Sequence, residues 1–166
     1  MTDIAISQAD NSEQIATARS LFREYAEAIS TDLEYQGFGA ELESLPGQYA
    51  PPKGALLIAH IGSHVAGCVA LRSLGGHAAE MKRLYVRAAY RSSGLGKQLV
   101  DAAIHAARQA GYSELRLDTL PSMASAQRLY HRLGFVEIPP YNSTYVPGTR
   151  FYSLKLANLT MRSSGP

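Results

Sequence analysis

Arg91, Gly94, Gly96 and Lys97 are spaced like the parts of an anion site. They fall in Tyr90-Arg91-Ser92-Ser93-Gly94-Leu95-Gly96-Lys97, between a strand-like run and a helix-like one. Glycine lets a ligand approach the backbone with no Cβ in the way. The first amide N–H groups of a helix lack partners within it, and the helix dipole adds positive charge there, so a phosphate is favoured. Arg91 and Lys97 put cations beside that position. The implied chemistry is capture of a phosphate or pyrophosphate, although the same spacing also serves in plain turns. A Walker loop needs Gly-x-x-x-x-Gly-Lys-Ser/Thr, which is absent. A dinucleotide fingerprint needs another glycine after Gly96, and the residue at that spacing is Leu99.

The elements around this turn follow from hydrophobic periodicity. Ile4-Ala5-Ile6-Ser7 alternates as a short strand. Asp10 and Ser12 offer helix caps, with Glu13 three residues after Asp10, much as in a capping box. Ile15, Ala18, Leu21, Phe22, Tyr25 and Ile29 recur at helical spacing. Ser30 to Pro52 is irregular, with one short helix near Ala40 to Ser44. Ala55 to Ile61, Val65 to Leu71 and Glu80 to Val86 read as an antiparallel meander, turning at Gly62-Ser63 and Gly75-Gly76-His77. If its alternation is unbroken, Glu80, Lys82 and Leu84 share one face of the third strand. A helix runs from Leu95 to Ala110, stopped by Gly111. Leu115 to Asp118 is a strand. Pro121-Ser122 opens a helix carrying Met123, Ala126, Leu129, Tyr130 and Leu133 on one face, ended by Gly134. Phe135 to Ile138 and Phe151 to Leu156 close the sheet, joined by a Tyr-rich loop from Pro139 to Thr149. Residues 1–160 make one domain, and 161–166 read as a disordered tail.

The bulk numbers restrict the partners. The chain has 166 residues, 46% hydrophobic and 18% charged, which suits one soluble globular domain. Sixteen basic and 14 acidic residues give a net charge of +2, too weak to argue for nucleic acid. The single cysteine, Cys68, lies in an apolar run and reads as a small buried hydrophobe. No Cys cluster is present to hold zinc, and no metal is expected. No secretory signal and no membrane-length apolar run are visible, so a cytoplasmic protein without membrane contact is expected.

Met81-Lys82-Arg83-Leu84-Tyr85-Val86, a short spacer, then Tyr90 to Lys97 and an Ala-rich helix resemble the acetyl-CoA signature of the GNAT superfamily of N-acetyltransferases. Leu129-Tyr130-His131-Arg132-Leu133-Gly134-Phe135 resembles that superfamily's second signature. The element order resembles its fold over nearly the whole chain. The resemblance implies an α/β GNAT fold: a mixed, mostly antiparallel central sheet, helices on both faces and a splayed V-shaped cleft. It implies acetyl-CoA as acyl donor, with the pantetheine arm along Leu84, Tyr85 and Val86. The pyrophosphate would meet Arg91, Ser92, Ser93, Gly94, Leu95, Gly96 and Lys97.

The same resemblance makes Tyr130 the general acid that protonates the departing thiolate. Met123 stands where relatives often carry a cofactor-contacting Asn; a thioether donates no hydrogen bond, and neither Ser122 nor Ser125 matches the position. Glu80 is the leading candidate base, acting through water, and equally reads as a solvated or salt-bridged carboxylate. Glu24, Asp118 and His60 are weaker candidates. The oxyanion would meet a backbone N–H on the splayed strand. Family analogy places the acceptor between Glu34-Tyr35-Gln36-Gly37-Phe38 and Tyr141-Asn142-Ser143-Thr144-Tyr145. The expected acceptor is a small-molecule amine. Two alternatives stay open: an acyl-CoA-binding domain with little turnover, and a peptide or protein N-acetyltransferase. A homodimer is compatible with the family.

Overall fold

The computed structural model describes residues 3–29 and 32–156; the expected tail at 161–166 lies outside them. Strand β1 (Ile4–Gln8) leads into helix α1 (Ser12–Ile29). The cap is not the expected Asp10 or Ser12. Gln14 N–H donates to the Asn11 carboxamide, and the Gln14 side chain accepts from Asp10 N–H. Asn11 and Gln14 have the three-residue spacing that a capping box needs. A 3₁₀ turn (Leu33–Gln36), helix α2 (Phe38–Ser44) and a second 3₁₀ turn (Gly47–Tyr49) occupy the irregular stretch. Then come β2 (Ala55–Ile61), β3 (His64–Ser73) and β4 (Ala78–Val86). Helix α3 (Leu95–Gln109), β5 (Glu114–Thr119), α4 (Ala124–Arg132), β6 (Val136–Ile138) and β7 (Arg150–Lys155) complete the chain.

Helix α4 begins later than Pro121-Ser122 suggests. Leu120 C=O takes the Met123 N–H in a tight turn, and Met123 sits at φ −93, ψ 57, outside the helical region. Met123 is therefore the cap residue of α4 and not part of its apolar face.

The strands form one sheet in the order β1-β2-β3-β4-β5-β7-β6. Only β4 and β5 run parallel; the other neighbours are antiparallel. Two apolar layers cover its faces. Phe22, Leu21 and Phe38 from α1 and α2 pack with Leu56, Ile58 and Cys68 on one side. Leu95, Leu99 and Val100 of α3 pack with Val69, Leu115 and Leu117 on the other, together with Tyr130 of α4. Cys68 is fully buried, as expected, and its thiol donates to the Arg83 carbonyl.

Two irregularities open the sheet. The β4–β5 pairing covers only Ala78↔Glu114, Ala79↔Leu115 and Glu80↔Arg116, after which the strands part. Between β3 and β4 the register steps from Ala70↔Lys82 to Cys68↔Tyr85. Three residues of β4 thus span two of β3, which is a β-bulge. Arg83 carries it, with φ at +61. Gly67 lets the bulged backbone approach, since a Cβ there would lie 2.4 Å from the Tyr85 carbonyl oxygen.

The bulge overturns the simple alternation. Glu80 and Lys82 face the α1/α2 side, and Arg83 joins them, its guanidinium over the Tyr25 and Phe38 rings. Leu84 is turned to the α3 side with Met81 and Val86, so it does not share a face with Glu80 and Lys82.

Candidate active site

Where β4 and β5 separate, a cleft passes through the sheet. Tyr25, Leu33 and Gln36 line it from the α1/α2 face, and Met123, Ala126 and Tyr130 from the α4 side. Lys82, Arg83, Leu84 and Asp118 form the walls where the strands part. Counting its open mouth, the cleft encloses about 580 Å³. Most of that space is open to solvent, and the enclosed part is about 50 Å³.

The turn before α3 is exposed from Arg91 to Gly94. Ser92 (φ +66) and Gly94 (φ +85) both take left-handed backbone, and Ser93 Oγ donates to Tyr90 C=O. No side chain caps α3 at Gly94. Nothing lies within 4 Å of where a Gly94 Cβ would stand, so the space before the helix start is open. An uncapped helix start behind an open glycine turn fits a phosphate group. Lys97 pairs with Asp101 at 2.8 Å, one turn along α3. Arg91 folds back instead, Nε donating to the Val86 C=O at 3.0 Å. That carbonyl belongs to the segment Leu84, Tyr85 and Val86 expected to pair with pantetheine.

Tyr130 is buried against the rings of Phe135 and Tyr152, at 5.6 and 6.3 Å between centroids. Burial raises its pKa, with Tyr25 and Asp118 adding to the effect, so the phenol keeps its proton. Ser122 and Ser125 are exposed, and neither lines the cleft.

The four carboxylate and imidazole candidates separate clearly. Glu80 is 1% exposed and does not line the cleft. Its Oε1 meets Arg72 at 2.7–2.8 Å, and its Oε2 accepts from Tyr141 Oη at 2.6 Å. Both oxygens are engaged, the salt-bridged arrangement that the sequence left open. Glu24 is clamped by Arg87 (2.7 and 3.0 Å), which lowers its pKa. His60 lies on β2, outside the cleft lining. Asp118 does line it. Its pKa is raised, chiefly by burial, with Glu80 adding and Lys82 opposing. Asn142 of the 139–149 loop lies near enough to Asp118 to oppose that rise.

Lys82 and Arg83 of β4 were not singled out by sequence as site residues. Lys82 carries a lowered pKa, chiefly from burial. Its Nζ donates to Gln36 Oε1 at 3.3 Å. Arg83 forms a two-pronged pair with Glu41 of α2 at 2.8 and 2.9 Å. Lys82 was visible as a polar residue on the inward alternation of a strand. Arg83 was not, because a bulge cannot be read from spacing alone. Of the acceptor loops, Gln36 lines the cleft, Phe38 packs under Arg83, and Tyr141 and Tyr145 stack edge-on against Phe151.

Fold and cleft together define an α/β architecture with the sheet split between its two parallel strands. The acetyltransferase (GNAT) family profile matches residues 16–135. A Schizosaccharomyces pombe protein named as an N-acetyltransferase is 35% identical over 158 residues, covering 94% of this chain and 97% of that protein. The chain belongs to the GNAT acetyltransferase family. A GNAT acetyltransferase from Staphylococcus aureus superposes with a TM-score of 0.77 at 23% identity, covering 93% of this chain and all of that one. A Salmonella typhimurium structure with acetyl-CoA as cofactor superposes with a TM-score of 0.63 at 21% identity, covering 93% and 94%. Among the described residues no helix is long and apolar enough to cross a membrane. No group of three or more His, Cys, Asp or Glu among them is placed to hold a metal ion.

Proposed function

We propose that this acetyltransferase moves the acetyl group of acetyl-CoA to a primary amine of a small molecule by direct attack. The observation that carries this reading is the meeting of Tyr130, Asp118 and the bulged β4 in one cleft. Acetyl-CoA supplies an acyl carbon activated as a thioester. The N–H groups from Arg91 to Lys97 hold its pyrophosphate, and Leu84, Tyr85 and Val86 offer backbone groups to the pantetheine arm. Arg91 must leave the Val86 carbonyl if that carbonyl pairs with the arm. Met123, beside Tyr130, gives this arm apolar contact only.

Asp118 replaces Glu80 as the base in our reading. The ionised Asp118 accepts a proton from the acceptor ammonium, and the freed amine nitrogen bonds to the acyl carbon. The C–S bond breaks, Tyr130 gives its phenolic proton to the sulfur, and the proton still carried by the new amide nitrogen passes through water to the Tyr130 phenolate. Glu80 positions Tyr141 and Arg72 and takes no proton.

The test is free-thiol release from acetyl-CoA across a panel of small amines. Tyr130→Phe is expected to retain CoA affinity and to lose turnover by about 10²–10⁴-fold. Unchanged turnover removes Tyr130 from the acid role. A wild-type enzyme that releases no thiol with any small amine, yet does so with peptides, replaces the small-molecule acceptor with a peptide one.

A further inference from the structure

The last β4–β5 pair before the split is Glu80↔Arg116. Alternation makes Lys82 and Asp118 the next same-face residues of the two strands. Both line the cleft, one on each wall. They do not close into an ion pair: no carboxylate among the described residues lies within 4.0 Å of the Lys82 ammonium. The neighbouring cations on this face are already neutralised, Arg72 by Glu80 and Arg83 by Glu41. Lys82 has a neutral amide oxygen from Gln36 and further N–H donors to give. A half-buried ammonium whose nearest carboxylates, Glu80 and Asp118, stay beyond ion-pair distance is poorly compensated, and an anionic ligand offsets that cost.

Opposite charges facing across a gap are the complement of a zwitterion. Asp118 stands within electrostatic reach of Tyr130, so the ammonium end belongs at Asp118 and the carboxylate end at Lys82. We propose that the acceptor is an amine that also carries a carboxylate, an amino-acid-like zwitterion, with Lys82 reading the carboxylate and Asp118 the amine. This rests on the acyl-transfer reading above. It extends that reading by assigning a specificity role to Lys82.

The experiment compares matched acceptors: L-tyrosine with tyramine, L-histidine with histamine, and L-leucine with isopentylamine. Thiol release gives kcat/KM for each. The wild type is expected to prefer the carboxylated member of at least one pair by tenfold or more, about 1.4 kcal/mol. In Lys82→Met that ratio falls toward one, and in Lys82→Arg much of it survives. CoA affinity checks that each variant is folded. Equal use of both members in every pair by the wild type, or a preference that persists in Lys82→Met, overturns the proposal. So does a loss in Lys82→Met that is equal for both members, because Lys82 then serves the donor.

Titration calorimetry of the N-acetylated products into the CoA-saturated protein separates the two readings. If no acceptor is turned over, the acyl-transfer reading fails. The assignment of the carboxylate to Lys82 then stands on N-acetyl-L-tyrosine binding more tightly than N-acetyltyramine in a Lys82-dependent way. It falls if the two products bind alike.

Discussion

The surfaces proposed for donor and acceptor, the two mouths of the site in our reading, are built from different materials. On the α3 side the turn at Arg91–Lys97 presents backbone: an uncapped helix start, left-handed Ser92 and Gly94, and little burial. On the α1/α2 side the surface is made of paired side chains, most of them from distant parts of the sequence. Arg83 holds Glu41, Arg72 holds Glu80, Tyr141 caps Glu80, and Arg87 holds Glu24. A backbone cradle suits a ligand part that never changes. A side-chain lattice suits one that differs between enzymes, because single substitutions can redraw it. Each mouth should therefore fail in its own way when altered.

The largest expected effect is at the lattice. The Arg83 side chain is 2% exposed and its Glu41 partner 16%. Removing one member of a buried pair strands the other, at about 3 kcal/mol. Arg83→Met is expected to lose about that much stability in denaturant melts and to loosen α2 over the cleft, raising the acceptor KM more than the CoA Kd. Equal loss on both sides of the cleft would break the division between the two mouths.

The two mouths also differ in how readily sequence betrays them. The turn is a contiguous run, and its glycines and cations follow a spacing that physical chemistry can interpret. Tyr130 came from a second contiguous run. The acceptor side depends on Glu41 reaching Arg83 and Tyr141 reaching Glu80, partners 42 and 61 residues apart. Glu80 illustrates the limit. Its place on the strand was legible, but its two partners come from β3 and the 139–149 loop, so its engagement was not. Lys82 and Asp118 were each visible; their opposition across the split depended on where the β4–β5 pairing stops. The bulge at Arg83 hid the rest, since one extra residue turned Leu84 to the other face.

A smaller effect is expected at Asp118. Its folded pKa lies above the ordinary carboxylate value, chiefly through burial. Such a group contributes more stability when protonated, and that contribution is lost as pH rises through the raised pKa. Asp118→Asn is therefore expected to be at least as stable as wild type at neutral pH. It should lose about 100-fold in kcat, within the range for a general base. The wild-type acid limb should lie above the usual carboxylate range, and Asp118→Asn should lose it. An intact acid limb in that variant returns the base role to another group, Glu80 first.

The smallest effect is expected at the turn, and it tests whether that mouth acts through backbone. Gly94 takes φ +85 with open space around its missing Cβ. Alanine there meets no neighbour but adopts left-handed backbone, costing roughly 1–2 kcal/mol of stability. The added methyl also stands in front of the helix start, where a phosphate would approach. Gly94→Ala is thus expected to weaken CoA binding about tenfold while leaving the carboxylate-over-amine preference of the acceptor unchanged. Ser93→Ala, which removes only the Oγ bond to Tyr90, should change CoA affinity much less. A larger loss from Ser93→Ala than from Gly94→Ala would mean that the cradle works through side chains after all, and the contrast between the two mouths would dissolve.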